Sequence, residues 1–166
     1  MSNDTVDKIE DGMLIKMIKD FTLNDGMYVK VGILGEKAAR INDLEGKSDL
    51  TNADIGAIHE FGSKDGRIPA RSWLRVPLID NIQKYMDKLE DKFKTKYNFL
   101  NTKKIIEPLL NELGLAGVKI VQEGFVTGGY GKWKPSKKLK DGDTKSGDTL
   151  VETGQLSQSI SMEVSK

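Results

Sequence analysis

"MYVKVGIL", residues 27–34, decides the fold class. Met27, Val29, Val31 and Ile33 alternate with Tyr28, Lys30, Gly32 and Leu34, so an extended chain here carries one wholly apolar face. A second such stretch closes the sequence. In "SQSISMEVS" (157–165), Ile160, Met162 and Val164 fall on one face of a strand, and a short helix begun by Thr153 leads into it. The remaining periodicity is helical, so these two strands make the chain α+β rather than all-α.

Before the first strand, residues 5–22 predict a helix. Val6, Ile9, Met13, Met17 or Ile18, and Phe21 recur at three- and four-residue steps, with Asp4 or Thr5 as cap. Gly12 weakens it by about 1 kcal/mol relative to alanine. "NDG" (24–26) is a turn. After the strand, residues 35–50 are polar and read as a loop or a long hairpin connection, part of which can join the sheet.

Thr51 or Asn52 caps a short helix, "ADIGAIHEF", which ends at Gly62. "SKDGR" (63–67) is a turn, and "IPA" is extended because the residue before proline avoids the helical region. A long helix follows over about 73–99, with Ser72 as cap and Pro77 tolerated in its first turns. Its stripe is Leu78, Ile82, Tyr85, Leu89, Phe93, Tyr97 and Leu100. Another helix covers about 102–124, capped by Thr102, with Ile106, Leu110, Leu113, Gly117 and Ile120 or Val121 on one side. Pro108 kinks it or marks its true start, and Gly114, Ala116 and Gly117 admit another backbone closely. Residues 126–149 lack periodicity and read as a mobile basic arm. One domain, 1–166, results: a small, mostly antiparallel sheet with two long helices on one face and a long flexible loop.

Composition narrows the function. Net charge is +1, so no global field attracts nucleic acid or an anionic membrane. The charge is unevenly spread. Residues 1–60 hold 7 Lys/Arg against 12 Asp/Glu, 61–100 hold 9 against 5, and 126–150 hold 6 against 3. An acidic front and basic later segments complement one another within a subunit or between copies. The sequence has no cysteine, which excludes disulfides, thiolate metal sites and a cysteine nucleophile and fits a reducing cytosol. No apolar run has the length of a membrane span, and the acidic start "MSNDTVDKIEDG" is unlike a signal peptide.

Catalytic patterns are poorly matched. His59 is the lone histidine, with Glu60 beside it, and a zinc-protease helix needs a second histidine at position 63, which is serine. No G-x-S-x-G elbow is present, and Lys132 in "GGYGKW" is followed by tryptophan where a phosphate loop needs serine or threonine. No enzyme activity, cofactor or metal is expected. Tyr130 and Trp133 among the lysines of 132–140 allow an alternative reading as a nucleic-acid-binding module on loop 130–140, by base stacking and phosphate contact. Against it stands an anchored arm on a nearly neutral chain. Arg71 and Arg75, at the start of the long helix, oppose its dipole and call for a carboxylate such as Glu60, or one from another subunit. Trp73 between them gives the composition of an interface hot spot, unless it caps the core.

Two segments carry a resemblance. "AIHEFGSKDGRIPARSWLRVPL" (57–78) resembles the segment of tailed-phage virion morphogenesis proteins that runs I-H-E-F-G, a loop, then I-P-[AP]-R-P-F-[LM]-R. "GKWKPSKKLK" with "TLVETGQLSQSI" (131–160) resembles a second segment of the same group, and "VGILG" (31–35) also fits. These are the tail-completion and neck proteins at the junction of capsid and tail. Trp73 stands where that family has phenylalanine, and Ser72 where it has proline. In some relatives the T-G-x-L-x-x-S-I segment precedes the E-F-G segment, whereas here it follows. The resemblance implies a structural head–tail junction protein of the virion, present in the host cytoplasm during assembly. It implies no membrane partner. Its partners would be copies of itself in a ring, six-fold with twelve-fold as the alternative, and neighbouring neck and tail-tube proteins; the genome would pass through the lumen without sequence-specific binding. The interface candidates are Glu60, Phe61, Arg71, Trp73, Arg75, Tyr130, Trp133 and Leu156.

Overall fold

The computed structural model describes residues 26–39, 50–96, 102–133 and 154–166, without the side chains of 93–96 and 102–104. Strand β1 (Tyr28–Ile33) is followed by a single 3₁₀ turn, Gly35–Ala38. Then come helices α1 (Asn52–Phe61), α2 (Arg75–Lys96) and α3 (Thr102–Val126), the short α4 (Gln155–Gln158) and strand β2 (Ile160–Ser165). The fold is α+β. The predicted helix 5–22, Tyr97 and Leu100 of the stripe and the arm 134–149 lie outside the described residues, as does the side chain of Phe93.

β1 and β2 pair antiparallel in register Tyr28↔Ser165, Val29↔Val164, Lys30↔Glu163, Val31↔Met162, Gly32↔Ser161 and Ile33↔Ile160. All six apolar partners therefore share one face, and Lys30 meets Glu163 at 3.7 Å on the other. The apolar face lies on α3. Gly114 and Gly117 make that possible: an added Cβ on Gly114 would sit 2.8 Å from Val29 Cγ2, and one on Gly117 2.9 Å from Val31 Cγ2. The small residues of α3 thus admit side chains of the sheet rather than another backbone. α2 runs antiparallel to α3, since Tyr85 meets Glu123 while Lys92 meets Glu112.

Two apolar clusters result. Met27, Met86, Leu89, Ile105, Ile106, Leu109 and Leu110 form the first, with Val29, Ile82, Leu113 and Val164 packed on it. Trp73, Val121, Phe125, Leu156 and Ile160 form the second, with Val31, Ile33, Ile55, Leu74 and Leu78 among the residues around it. Each fully buried aliphatic side chain contributes about 1.5–3 kcal/mol of transfer free energy. α3 runs unbroken through Pro108, so this proline does not mark a helix start. Met86, which the predicted stripe omits, is a core residue one step beside it.

Candidate functional site

α1 is fixed at both ends by its own sequence. Thr51 and Asp54 form a reciprocal capping box: the Asp54 N–H donates to Thr51 Oγ1 at 3.1 Å, and the Thr51 N–H donates to Asp54 Oδ2 at 2.9 Å. The Thr51 hydroxyl and N–H hold the Asp54 carboxyl below the ordinary aspartate range. Gly62, at φ 84°, ends the helix and donates to Ile58 O at 2.7 Å. That backbone is costly for any residue with a Cβ. The Cβ would also lie 3.0 Å from Ala70 N. Ser63 and Asp65 then close a compact turn, with the Ile68 N–H on Ser63 Oγ at 2.8 Å and the Arg67 N–H on Asp65 Oδ1 at 3.1 Å.

This turn brings the end of α1 against the start of α2. Glu60, 5% exposed, is the centre of the joint. Its Oε1 accepts from Ser72 Oγ at 2.6 Å and Arg75 Nε at 2.8 Å, while Oε2 accepts from the Leu74 N–H at 3.0 Å. Ser72 Oγ in turn accepts from the Val76 N–H at 3.1 Å. An α2 N-terminus with no acid in its own first turn is thereby capped by a carboxylate from another helix. Burial pushes the Glu60 carboxyl up, but the donors Ser72, Leu74 and Arg75 outweigh it and hold the group below the usual glutamate value. The expected carboxylate for the two arginines is present for Arg75. Arg71 is held differently: its backbone N–H donates to His59 O at 2.7 Å, and its Nε is buried with no partner among the described residues.

His59 faces Arg71. Burial, and then the Arg71 charge, keep its imidazole below its ordinary pKa, so it is neutral near pH 7. Its Nδ1 is buried without a partner among the described residues, and the adjacent Glu60 oxygens are committed to Ser72, Leu74 and Arg75. Among the described residues, therefore, no carboxylate orients this imidazole, and a guanidinium stands beside it.

The eight interface candidates separate into interior and surface. Trp73 is 3% exposed, with its indole N–H on Gly56 O at 2.8 Å. It is core, because the extended 68–72 entry turns it inward against Phe125, ring centroids 5.7 Å apart. Leu156 is buried in the same cluster, and Glu60 is committed to the joint. None of these three offers a face to another subunit. Phe61 does: it is 65% exposed, with the Arg75 guanidinium 5.0 Å from its ring centroid. Arg71 is half-buried.

Tyr130 and Trp133 belong to a folded turn, not to a free arm. Residues 127–133 are closed by Gly129 N–H to Gly124 O at 2.6 Å and Trp133 N–H to Gly128 O at 2.9 Å. Trp133 sets its edge on Phe125 at 5.7 Å, and the Tyr130 hydroxyl donates to Ile120 O at 2.8 Å. Burial, then the charge of Glu123, pushes the Tyr130 hydroxyl up to about 12. Lys132 pairs with Asp80 of α2. The aromatic pair is thus used inside the subunit, and the lysines at 134, 137, 138 and 140 lie outside the described residues.

Sequence reasoning missed Gly56. A Cβ there would lie 2.8 Å from Ile33 Cδ1, 3.0 Å from Trp73 Cζ2 and 3.7 Å from Leu156 Cδ1. The available signal was a glycine inside a short helix, which costs about 1 kcal/mol against alanine and calls for a packing reason. The Tyr85–Glu123–Tyr130 contacts were also missed, since a pairing across two helices leaves no local pattern. No family model, curated protein or solved structure matches this chain.

Proposed function

We propose that this protein is a structural component of a tailed-phage virion at the head–tail junction. It works by fitting against copies of itself and against neighbouring neck and tail parts, without bond-making chemistry. One observation carries the reading. The three sequence segments that resemble tail-completion and neck proteins are distant in the chain, yet they meet around Gly56: Ile33 from the first, Trp73 from the second and Leu156 from the third. Residues that form one core can be retained together as one folding unit, with the outward side of the joint left for association. That outward side is Phe61 with Arg75, beside the exposed Val76 and Ile79. An aromatic stacked under arginine, near exposed aliphatics, has the composition of an interface centre. Repetition of a head-to-tail contact closes a ring when its rotation divides a full turn. The ring is proposed as six-fold, with twelve-fold the alternative.

Light scattering on the purified full chain tests it. The expected mass is a closed multiple of the subunit, falling to the monomer in Phe61→Glu, whose change lies at the surface. A monomer at every concentration, unaffected by Phe61→Glu, would overturn the proposal. DNA binding that falls with salt and is lost in Lys137→Glu with Lys138→Glu would favour the nucleic-acid reading instead.

A further inference from the structure

The joint between α1 and α2 leaves one cation unanswered. Residues 61–76 hold 4 Lys/Arg, namely Lys64, Arg67, Arg71 and Arg75, against the single acid Asp65. Arg67 pairs with Asp65 at 3.1 Å and Arg75 with Glu60 at 2.8 Å. Arg71 pairs with neither, and its Nε is buried with no partner among the described residues. The neighbouring imidazole does not serve as acceptor, because His59 Nδ1 is likewise buried without a partner among them. Both oxygens of Glu60 are already taken, by Ser72, Arg75 and the Leu74 N–H. A partly desolvated guanidinium without an acceptor is costly. The chain nonetheless fixes it there, since the Arg71 N–H donates to His59 O at 2.7 Å.

We infer that Arg71 is a socket for a carboxylate side chain presented by a second copy of this chain. The inference rests on the association face proposed above and names a polar contact made there. Chemistry, position and charge select the occupant. A guanidinium is planar and delocalised, so a carboxylate on its terminal nitrogens neutralises the charge that the buried Nε leaves stranded. Arg71 is only half-buried, so part of its side chain is open to the outside. It also borders the association face: Gly62, the residue after the exposed Phe61, is packed so closely on Ala70 that an added Cβ would lie 3.0 Å from Ala70 N. The chain as a whole carries +1, while residues 61–76 hold 4 cations against 1 acid, so the rest of each copy is net acidic. A copy thus supplies the acid that the joint of its neighbour lacks. A head-to-tail contact brings two such different surfaces of one chain together.

Sedimentation of the full chain over a concentration series tests it. Arg71→Met should weaken assembly about tenfold or more. Arg67→Met, whose cation is matched by Asp65 inside the subunit, should change it less than about threefold. In the Phe61→Glu background, which keeps the subunit single, Arg71→Met should leave the melting temperature unchanged or raise it, because a partly buried charge without a partner is removed. Zero-length carbodiimide coupling of Arg71→Lys, in a mixture of isotope-labelled and unlabelled chains, should join position 71 to an aspartate or glutamate of a second chain, identified by mass spectrometry. Assembly unchanged in Arg71→Met, a lower melting temperature of the single subunit, or no coupling of position 71 to a second chain would overturn the inference and leave ring formation standing. Chains that never assemble would remove both. Salt-sensitive DNA binding that is lost in Arg71→Met while assembly persists would overturn it in favour of a phosphate as the occupant.

Discussion

The two clusters of the interior are built differently. The first, around Met86, Leu109 and Leu110, is aliphatic and held by volume and burial alone. The second, around Trp73, combines rings, a hydrogen bond to Gly56 O and a helix glycine whose missing Cβ is needed. Interiors of the first kind accept many side chains of similar volume, whereas the second kind depends on shape at each position. It is also where the three segments meet that suggest a virion role, and where the Glu60 joint is attached. General stability and the geometry of the joint at Glu60 thus rest on different parts of the described structure.

The largest test of this contrast is Trp73→Ala, expected to cost about 3–5 kcal/mol by cavity formation and loss of the indole bond. Trp73→Phe should still cost about 1–3 kcal/mol, while Leu109→Met in the first cluster should cost under about 1.5 kcal/mol. Urea unfolding of the three variants measures all of it. Equal costs for Trp73→Phe and Leu109→Met would remove the distinction. Gly56→Ala comes next. Alanine favours a helix by about 1 kcal/mol, yet the expected outcome is a net loss of about 1–2 kcal/mol, because Ile33 and the held Trp73 ring are both in the way.

Glu60→Gln is smaller, about 1–2 kcal/mol at neutral pH, because Arg75 is largely exposed and regains water. Its pH dependence is more telling. The folded Glu60 carboxyl titrates below its unfolded value, so its contribution is fully present above the unfolded pKa of about 4.5 and is lost as pH falls through the folded value. The gap in stability between wild type and Glu60→Gln should therefore narrow on acidification below that point. His59 is likewise depressed, so its contribution is present above about 6.5 and lost as pH falls through the folded value. His59→Asn should flatten the wild-type slope in that window. The smallest expected change is in Leu115→Glu, whose exposed side chain should leave global stability within about 0.5 kcal/mol.

Local signals carried most of the fold. Alternation in 27–34 and 160–164 marked both strands, Thr51 and Gly62 marked the ends of α1, and Ser72 marked the start of α2. Each of these depends on neighbours within four residues. What the sequence left open was partnership. Trp73 between two arginines has the same composition whether it faces a second subunit or Phe125; only the turn at 63–68 decides, by rotating the entry to α2. Glu60 could be named as a partner for Arg75 because charge arithmetic demanded a carboxylate there, yet its second role, on the Leu74 N–H, needed the two helices placed. The 127–133 turn was misread as part of an arm because glycines hide a fold held by backbone bonds and two aromatic anchors.

The most direct measurement of the proposed virion role is a cryo-electron microscopy reconstruction of phage particles assembled with this chain present. Symmetric copies at the head–tail junction, with Phe61 and Arg75 buried against the neighbouring subunit, are the predicted result. A particle lacking the chain, or one in which Phe61 and Arg75 face solvent in every copy, would contradict it.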